Sequence, residues 1–143
     1  MSERPPQRLL QTPTWLITQI SATVARQTRE VFDALGAGRY HYAVLCAVEE
    51  FGPCSQADIG RRLRIDRKDV AERVLELETA GYLQRRSDPA DPRRNVVTLT
   101  DEGGERLRQI HDRLTAVQED LVEPLDTQER AILTQALQKI LGR

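Results

Sequence analysis

The sequence predicts a mainly α-helical fold with one small β element, and three observations carry that prediction. Apolar residues recur every three or four positions over most of the chain. Helix caps, glycines and prolines cut this pattern into separate runs. One stretch, Tyr82 to Thr100, gives up the helical spacing for two short strand-like segments around a turn-rich loop. At 143 residues, 39% of them hydrophobic, the chain (residues 1–143) suits one domain with a real core and is too short for a second full one.

Thr12-Pro13 reads as an N-cap followed by proline at the first helical position, and Gly36 closes the run. Between them Leu16, Ile20, Val24, Val31 and Leu35 form an apolar stripe, widened by Ile17, Ala25, Thr28 and Phe32. So long a helix in so small a chain reaches beyond a single compact core, and its stripe needs a partner. The run Tyr40 to Val48, apolar on most sides and ending at Gly52-Pro53, predicts a buried helix. Ser55-Gln56-Ala57-Asp58 has the form of a capping box with Asp in the place of Glu or Gln. It opens a short helix that turns Ile59 and Leu63 inward and Arg61, Arg62 and Arg64 elsewhere.

Asp66 caps the next helix after the short link Arg64-Ile65. Its inward row is Val70, Val74 and Leu77; Arg67, Lys68, Ala71 and Glu72 face the opposite side, with Asp69 and Arg73 on the flanks. Gly81 stops it. Two capped helices joined by a few residues, the second with a mixed polar face, have the layout of a helix-turn-helix. Tyr82 to Arg86 and Asn95 to Thr100 then read as strands with Leu83, Val97 and Leu99 inward, and the seven residues Asp88 to Arg94 as the loop between them. A hairpin directly after a helix-turn-helix is a wing.

Thr100, with Asp101 and Glu102, starts a helix that carries Leu107, Ile110, Leu114, Val117 and Leu121 and halts near Pro124. Gly103 and Gly104 weaken its first turn by about 1 kcal/mol each relative to alanine. Asp126-Thr127-Gln128-Glu129 caps a last helix with Ile132, Leu133, Leu137, Ile140 and Leu141, ended by Gly142. The predicted architecture is therefore a winged helix-turn-helix over residues 38–99, flanked by amphipathic helices at 12–36 and 100–143.

The formal net charge of −1 hides a segregation. Residues 55–98 carry ten Lys/Arg against eight Asp/Glu, residues 1–54 five of each, and residues 99–143 six against nine. A local basic face steers a protein to phosphate. Within it, Ser87 to Thr100, SDPADPRRNVVTLT, places two arginines beside turn residues with nothing apolar to bury them. Such a loop presents its arginines outward, to something negatively charged.

Other classes fit less well. No apolar run is long enough to span a membrane. The start, MSERPPQRLLQTP, lacks the apolar core and cleavage site of a secretory signal, so a cytoplasmic location is expected. Cys46 and Cys54 are too few for a disulfide framework and lack metal spacing. His41 and His111 have no second ligand at a spacing such as HxxxH, so no metal is expected. No glycine-rich phosphate loop, serine elbow or paired-carboxylate signature points to an enzyme, and no cofactor is expected. Cys46, inside an apolar run, reads as a buried inert thiol. Cys54 beside a helix start leaves open a reactive thiol, because a helix N-terminus lowers a thiol pKa.

In the order of its parts, the chain resembles the MarR family of transcriptional regulators. Asp88-Pro89-Ala90-Asp91-Pro92-Arg93, running on to Leu99-Thr100, is similar to that family's wing, DPxDxRxxxxxLT. Ser55 to Leu63 is similar to the family's xxELAxxL helix, and Leu77-Glu78-Thr79-Ala80-Gly81-Tyr82-Leu83 to the end of its recognition helix. The resemblance covers about residues 12–141.

The excess of arginine over lysine, with Lys68 and Lys139 the only lysines, points to a bacterial source, and the resemblance implies a homodimer whose terminal helices interlock, usually a repressor. Each subunit would place a recognition helix in the major groove of a near-palindromic operator, released by a small aromatic or phenolic effector or an oxidant. Arg67, Lys68, Asp69, Ala71, Glu72 and Arg73 would face the major groove, and Arg93 would enter the minor groove, whose narrow form attracts guanidinium. Arg94 is grouped with it at the wing and assigned to phosphate. Asp91 would brace an arginine there. Ser55, Gln56, Arg61, Arg62 and Arg64 would touch phosphate, which sets register without reading sequence. Trp15, Arg26, Tyr40 and His41 would wall an effector pocket, with core packing the competing role for the aromatic groups.

Asp69 and Glu72 depart from the family pattern. They either accept from cytosine amino groups or pair with Arg73 or Lys68, a pairing favoured for Asp69. Two rival readings stay open: a winged-helix protein-interaction module that does not read DNA, and a DNA-binding thiol sensor. Family members that sense oxidant carry the cysteine near the start of the first helix, and residues 12–36 contain none.

Overall fold

The computed structural model describes residues 3–142. Seven helices and one antiparallel strand pair follow in the order α1 (Gln7–Leu10), α2 (Pro13–Leu35), α3 (Arg39–Phe51), α4 (Gln56–Leu63), α5 (Arg67–Thr79), β1 (Leu83–Asp88), β2 (Asp91–Leu99), α6 (Asp101–Val122) and α7 (Thr127–Leu141). This is the mainly α, winged-helix class read from the sequence, with the one-turn α1 added. Among the described residues no helix is long and apolar enough to cross a membrane. The chain divides into a winged unit, Arg29–Arg113, and a helical unit made of the residues up to Thr28 and those from Leu114 onward. The division runs through α2 and α6, and not at their ends near residues 36 and 100.

In the winged unit, Val44, Leu45 and Val48 of α3 pack in one core with Ile59 of α4, Val70, Val74 and Leu77 of α5, Leu83 of β1 and Ile110 of α6. The helix boundaries follow local chemistry. Ser55 and Asp58 cap α4 reciprocally, Ser55 Oγ accepting from Asp58 N–H and Asp58 Oδ2 from Ser55 N–H, each at 3.1 Å. Arg64, at φ 54°, turns the chain left-handed out of α4, and Asp66 Oδ1 accepts the Lys68 N–H at 2.8 Å to start α5. At Gly81, φ +85°, the chain leaves α5 and enters β1. Thr100 then joins the strands to α6: its Oγ1 donates to Gly81 O at 2.6 Å and accepts from Gly103 N–H at 3.0 Å.

The wing differs from expectation in two ways. The strands run closer to the tip, with pairs from Leu83↔Leu99 to Ser87↔Asn95 and then a register irregularity before Asp88↔Asp91. Arg93 and Arg94 therefore lie in β2, and the turn between the strands is only Pro89-Ala90. An irregularity of this kind absorbs extra residues on one strand, which strand-pattern reading cannot see. Val96 is also buried along with Val97, so both faces of β2 are covered there. Val97 is bridged to Cys54 through two backbone hydrogen bonds, 2.8 and 3.3 Å, so β2 is held on both edges at its root.

In the helical unit, the Asp126/Glu129 capping box opens α7 and Gly142, at φ 81°, closes it. Arg130 ties α7 to the end of α6, donating to Leu125 O at 3.1 Å and pairing with Glu119 at 3.1 Å. No described residue of α7 is buried; Ile140 is 74% exposed and Ile132 55%.

Candidate nucleic-acid interface

Because Val70, Val74 and Leu77 fix one side of α5 in the core, the other side must face solvent. Arg67, Lys68, Ala71 and Glu72 are exposed there and Asp69 is half-exposed. Arg73 is not a free reader: its guanidinium meets Glu72 at 3.1 Å and Glu76 at 3.6 Å. Its Nε is buried with no hydrogen-bond partner among the described residues. The pairing expected of Asp69 thus falls to Glu72, since Arg73 lies along the helix between Glu72 and Glu76. Glu76 in turn meets His41 Nε2 at 2.5 Å, and His41 Nδ1 accepts the Gly38 N–H at 3.0 Å, which leaves the proton on Nε2 facing the carboxylate. The end of α5 is tied to the wing root, with Arg85 donating from its backbone and guanidinium to Glu78 at 2.9–3.4 Å. Those hydrogen bonds from Arg85 hold the Glu78 carboxyl below the usual range.

At the wing, Asp88 Oδ1 accepts the Ala90 N–H at 2.9 Å and Asp91 Oδ1 the Arg93 N–H at 3.0 Å, each carboxylate shaping the turn through backbone. Asp91 therefore orients Arg93 through its amide, and does not brace a guanidinium. Arg93 is exposed and makes no ion pair among the described residues. Arg94 behaves differently: its guanidinium bonds Asp58 and, at 3.2 Å, Ser55 Oγ on the start of α4, and lies 3.9 Å from Asp88. The Asp58 carboxyl sits below its usual range, chiefly because it accepts the Ser55 N–H, with Arg94 and Arg61 adding to the effect.

The residues assigned to phosphate divide likewise. Ser55 spends its hydroxyl on the cap and Arg94, and Gln56 beside it is half-exposed. Arg61 pairs with Asp58. Arg62 stacks over the Phe51 ring at 3.7 Å. Arg64 is exposed and unpaired among the described residues. Of the ten basic residues in 55–98, Arg64, Arg67, Lys68, Arg86 and Arg93 make no ion pair or ring contact among the described residues. Arg86, on β1, went unnoticed in the sequence because nothing separates it from Arg85, which is consumed by Glu78.

Of the expected effector-pocket residues, Trp15 and Arg26 fall in the helical unit and Tyr40 and His41 in the winged unit. Arg39 covers Tyr40, its guanidinium 4.8 Å from the ring centroid. Within the winged unit, His41 lines a cavity of about 180 Å³ with Leu45, Glu76, Leu77, Tyr82, Arg106 and Ile110. Tyr40 is not among its lining residues. Cys54 is 5% exposed, and burial first, with Asp58 adding, pushes its thiol pKa up. Burial and Asp58 thus act against the activation expected from a helix start.

A sequence model described as MarR family matches residues 36–94, the segment that holds this interface. Among curated relatives, the uncharacterized HTH-type transcriptional regulator YwoH of Bacillus subtilis is 26% identical over 106 residues, 74% of this chain and 77% of that protein. Among solved structures, the PcaV transcriptional regulator of Streptomyces coelicolor, in complex with its natural ligand, superposes with a TM-score of 0.75 at 26% identity, covering 99% of this chain and 98% of that one. A MarR mutant from E. coli complexed with operator DNA gives a TM-score of 0.75 at 24% identity, covering 88% and 91%.

Proposed function

This chain belongs to the MarR family of transcriptional regulators, and we propose that it acts as a homodimeric repressor on a near-palindromic operator. It would act by occupying DNA, not by catalysis. The observation that carries the reading is the division of basic residues in the winged unit. Arg64, Arg67 and Lys68 around the start of α5 and Arg86 and Arg93 on the wing keep their charge available, while their neighbours are spent internally. A helix face suits the major groove, and a narrow minor groove attracts a guanidinium without any partner from its own fold. The MarR neighbour's operator complex supports the same use of this fold. Two copies would bring two such faces to two half-sites. Arg73, paired and half-buried, and Glu72, paired with it, hold the helix surface in shape and leave the first turns of α5 to read.

The test is affinity for the duplex upstream of the protein's own gene, measured against salt. Log affinity should fall steeply and linearly with log salt as counterions are released. Arg93→Ala should cost roughly 1–3 kcal/mol of binding with little change in melting temperature. Flat salt dependence would favour a protein-interaction module.

The His41 cavity supports a second element, release by a small ligand. Its volume is below the ~300–1,000 Å³ of sites for drug-sized ligands, so the occupant is small. An anion or phenol competing for His41 would loosen Glu76 and, through it, Arg73 on α5. Benzoate-sized acids and phenols titrated into the complex should release DNA from the wild type and not from His41→Leu; equal release from both would discard this site.

A further inference from the structure

Arg93 and Arg94 are adjacent in one strand, carry the same charge and are set to different tasks. The ladder that aligns the wing is regular only from Leu83↔Leu99 to Ser87↔Asn95 and then loses register before Asp88. At the root, β2 is pinned by the Val97–Cys54 bridge. Between that pin and the tip, nothing in the ladder fixes how far the hairpin leans from α4. The Arg94 guanidinium spans that gap, reaching Asp58 and Ser55 on α4 with one arm and approaching Asp88 at the tip with the other. Asp58 is itself held rigid, accepting the Ser55 N–H and an Arg61 donor as well.

We propose that Arg94 is a positioning residue: clamped between Asp58 and Ser55 of α4 and Asp88 of the wing, it fixes the separation of recognition helix and wing tip, so that Arg93 meets DNA and Arg94 does not. This rests on the DNA-binding reading above and specifies how its two reading elements are kept in register. An unclamped wing samples many orientations, and binding must then freeze it, which costs affinity without removing a phosphate contact.

The sign of one substitution separates this from a direct contact. Removing a carboxylate near a polyanion ordinarily tightens binding; here Asp58→Asn, which keeps an oxygen at the Oδ2 position shared by the Ser55 N–H and Arg94 but removes the charge that holds the guanidinium, loosens the clamp and weakens binding. The full-length protein is titrated with the upstream duplex across a salt series as wild type, Arg94→Ala, Asp58→Asn and the double variant. Amide hydrogen exchange over residues 88–95 is followed without DNA. Each single variant should lose roughly tenfold in affinity at an unchanged salt slope, and the double should be no weaker than Arg94→Ala, because both act through one contact. Wing amides should exchange faster in all three variants. A salt slope lowered by about one in Arg94→Ala means Arg94 touches phosphate and overturns the proposal. Tighter binding by Asp58→Asn, or wing exchange at the wild-type rate, overturns it too. Should the wild type bind no duplex at low salt, the DNA-binding reading fails, and the exchange rates alone decide the clamp.

Discussion

Among the described residues, fifteen of the sixteen buried apolar residues lie in the winged unit, and Leu114 alone in the helical unit. The exposed large apolar residues run the other way: eight of ten belong to the helical unit, with only Phe51 and Leu75 in the winged one. The winged unit has satisfied its hydrophobic requirement within one chain and leaves cations over. The helical unit has well-formed helices, capped at Asp126 and Gly142, whose apolar faces meet water. Each side chain the size of Ile or Leu moved from water into an interface contributes about 1.5–3 kcal/mol. The difference fits the proposed division of labour, recognition in the first unit and association in the second.

The largest expected effect comes from breaking the association side. Ile140→Glu puts a charge into the most exposed apolar position of α7. Light scattering at micromolar concentration should report a dimer for the wild type and a monomer for the variant. Operator affinity should fall by roughly 10²–10⁴-fold, because the second half-site no longer binds within one particle. Ile140 has no place in the buried core of the winged unit, so that unit's amide protection should survive unchanged. A monomeric wild type, or a variant that keeps both the wild-type mass and the wild-type affinity, would break the comparison.

The same contrast explains what could be read without coordinates. Caps and periodicity act over a few residues, so Pro13, Gly36, Asp66, Gly81 and Asp126 marked the helix ends correctly, and Val70, Val74 and Leu77 declared the buried side of α5. The unpartnered stripes of the terminal helices were legible for the same reason. Charge pairing was legible only where it is local, as in the alternative that paired Glu72 with Arg73. Whether Arg73, Arg85 or Arg94 is free depends on Glu72, Glu78 and Asp58, and the last pair is separated by 36 positions in sequence. Spacing rules see partners three or four residues away on one helix, and a side chain that crosses from a strand to another helix's first turn leaves no periodic trace. The resemblance set Arg93 apart from Arg94, but only the geometry of β2 against α4 gives Arg94 its internal partners.

A smaller test probes the packing of the winged unit at its densest. Gly103 and Gly104 are neighbours in the first turn of α6, and on helix propensity alone each should gain about 1 kcal/mol on becoming alanine. A methyl at Gly103 would lie 2.0 Å from Tyr82 O and 2.8 Å from Leu99 Cδ1, and the carbonyl cannot move freely because it accepts the Thr100 N–H. A methyl at Gly104 would meet nothing nearer than 3.8 Å, an ordinary contact with the end of Arg108. Gly103→Ala should therefore destabilise by roughly 1–3 kcal/mol, the overpacking cost exceeding the propensity gain. Gly104→Ala should stabilise by about 0.5–1 kcal/mol. Chemical denaturation of the two variants checks the opposite signs. Equal shifts would mean that the Tyr82 to α6 junction yields easily, and with it the claim that the winged unit is a finished, close-packed fold before any partner arrives.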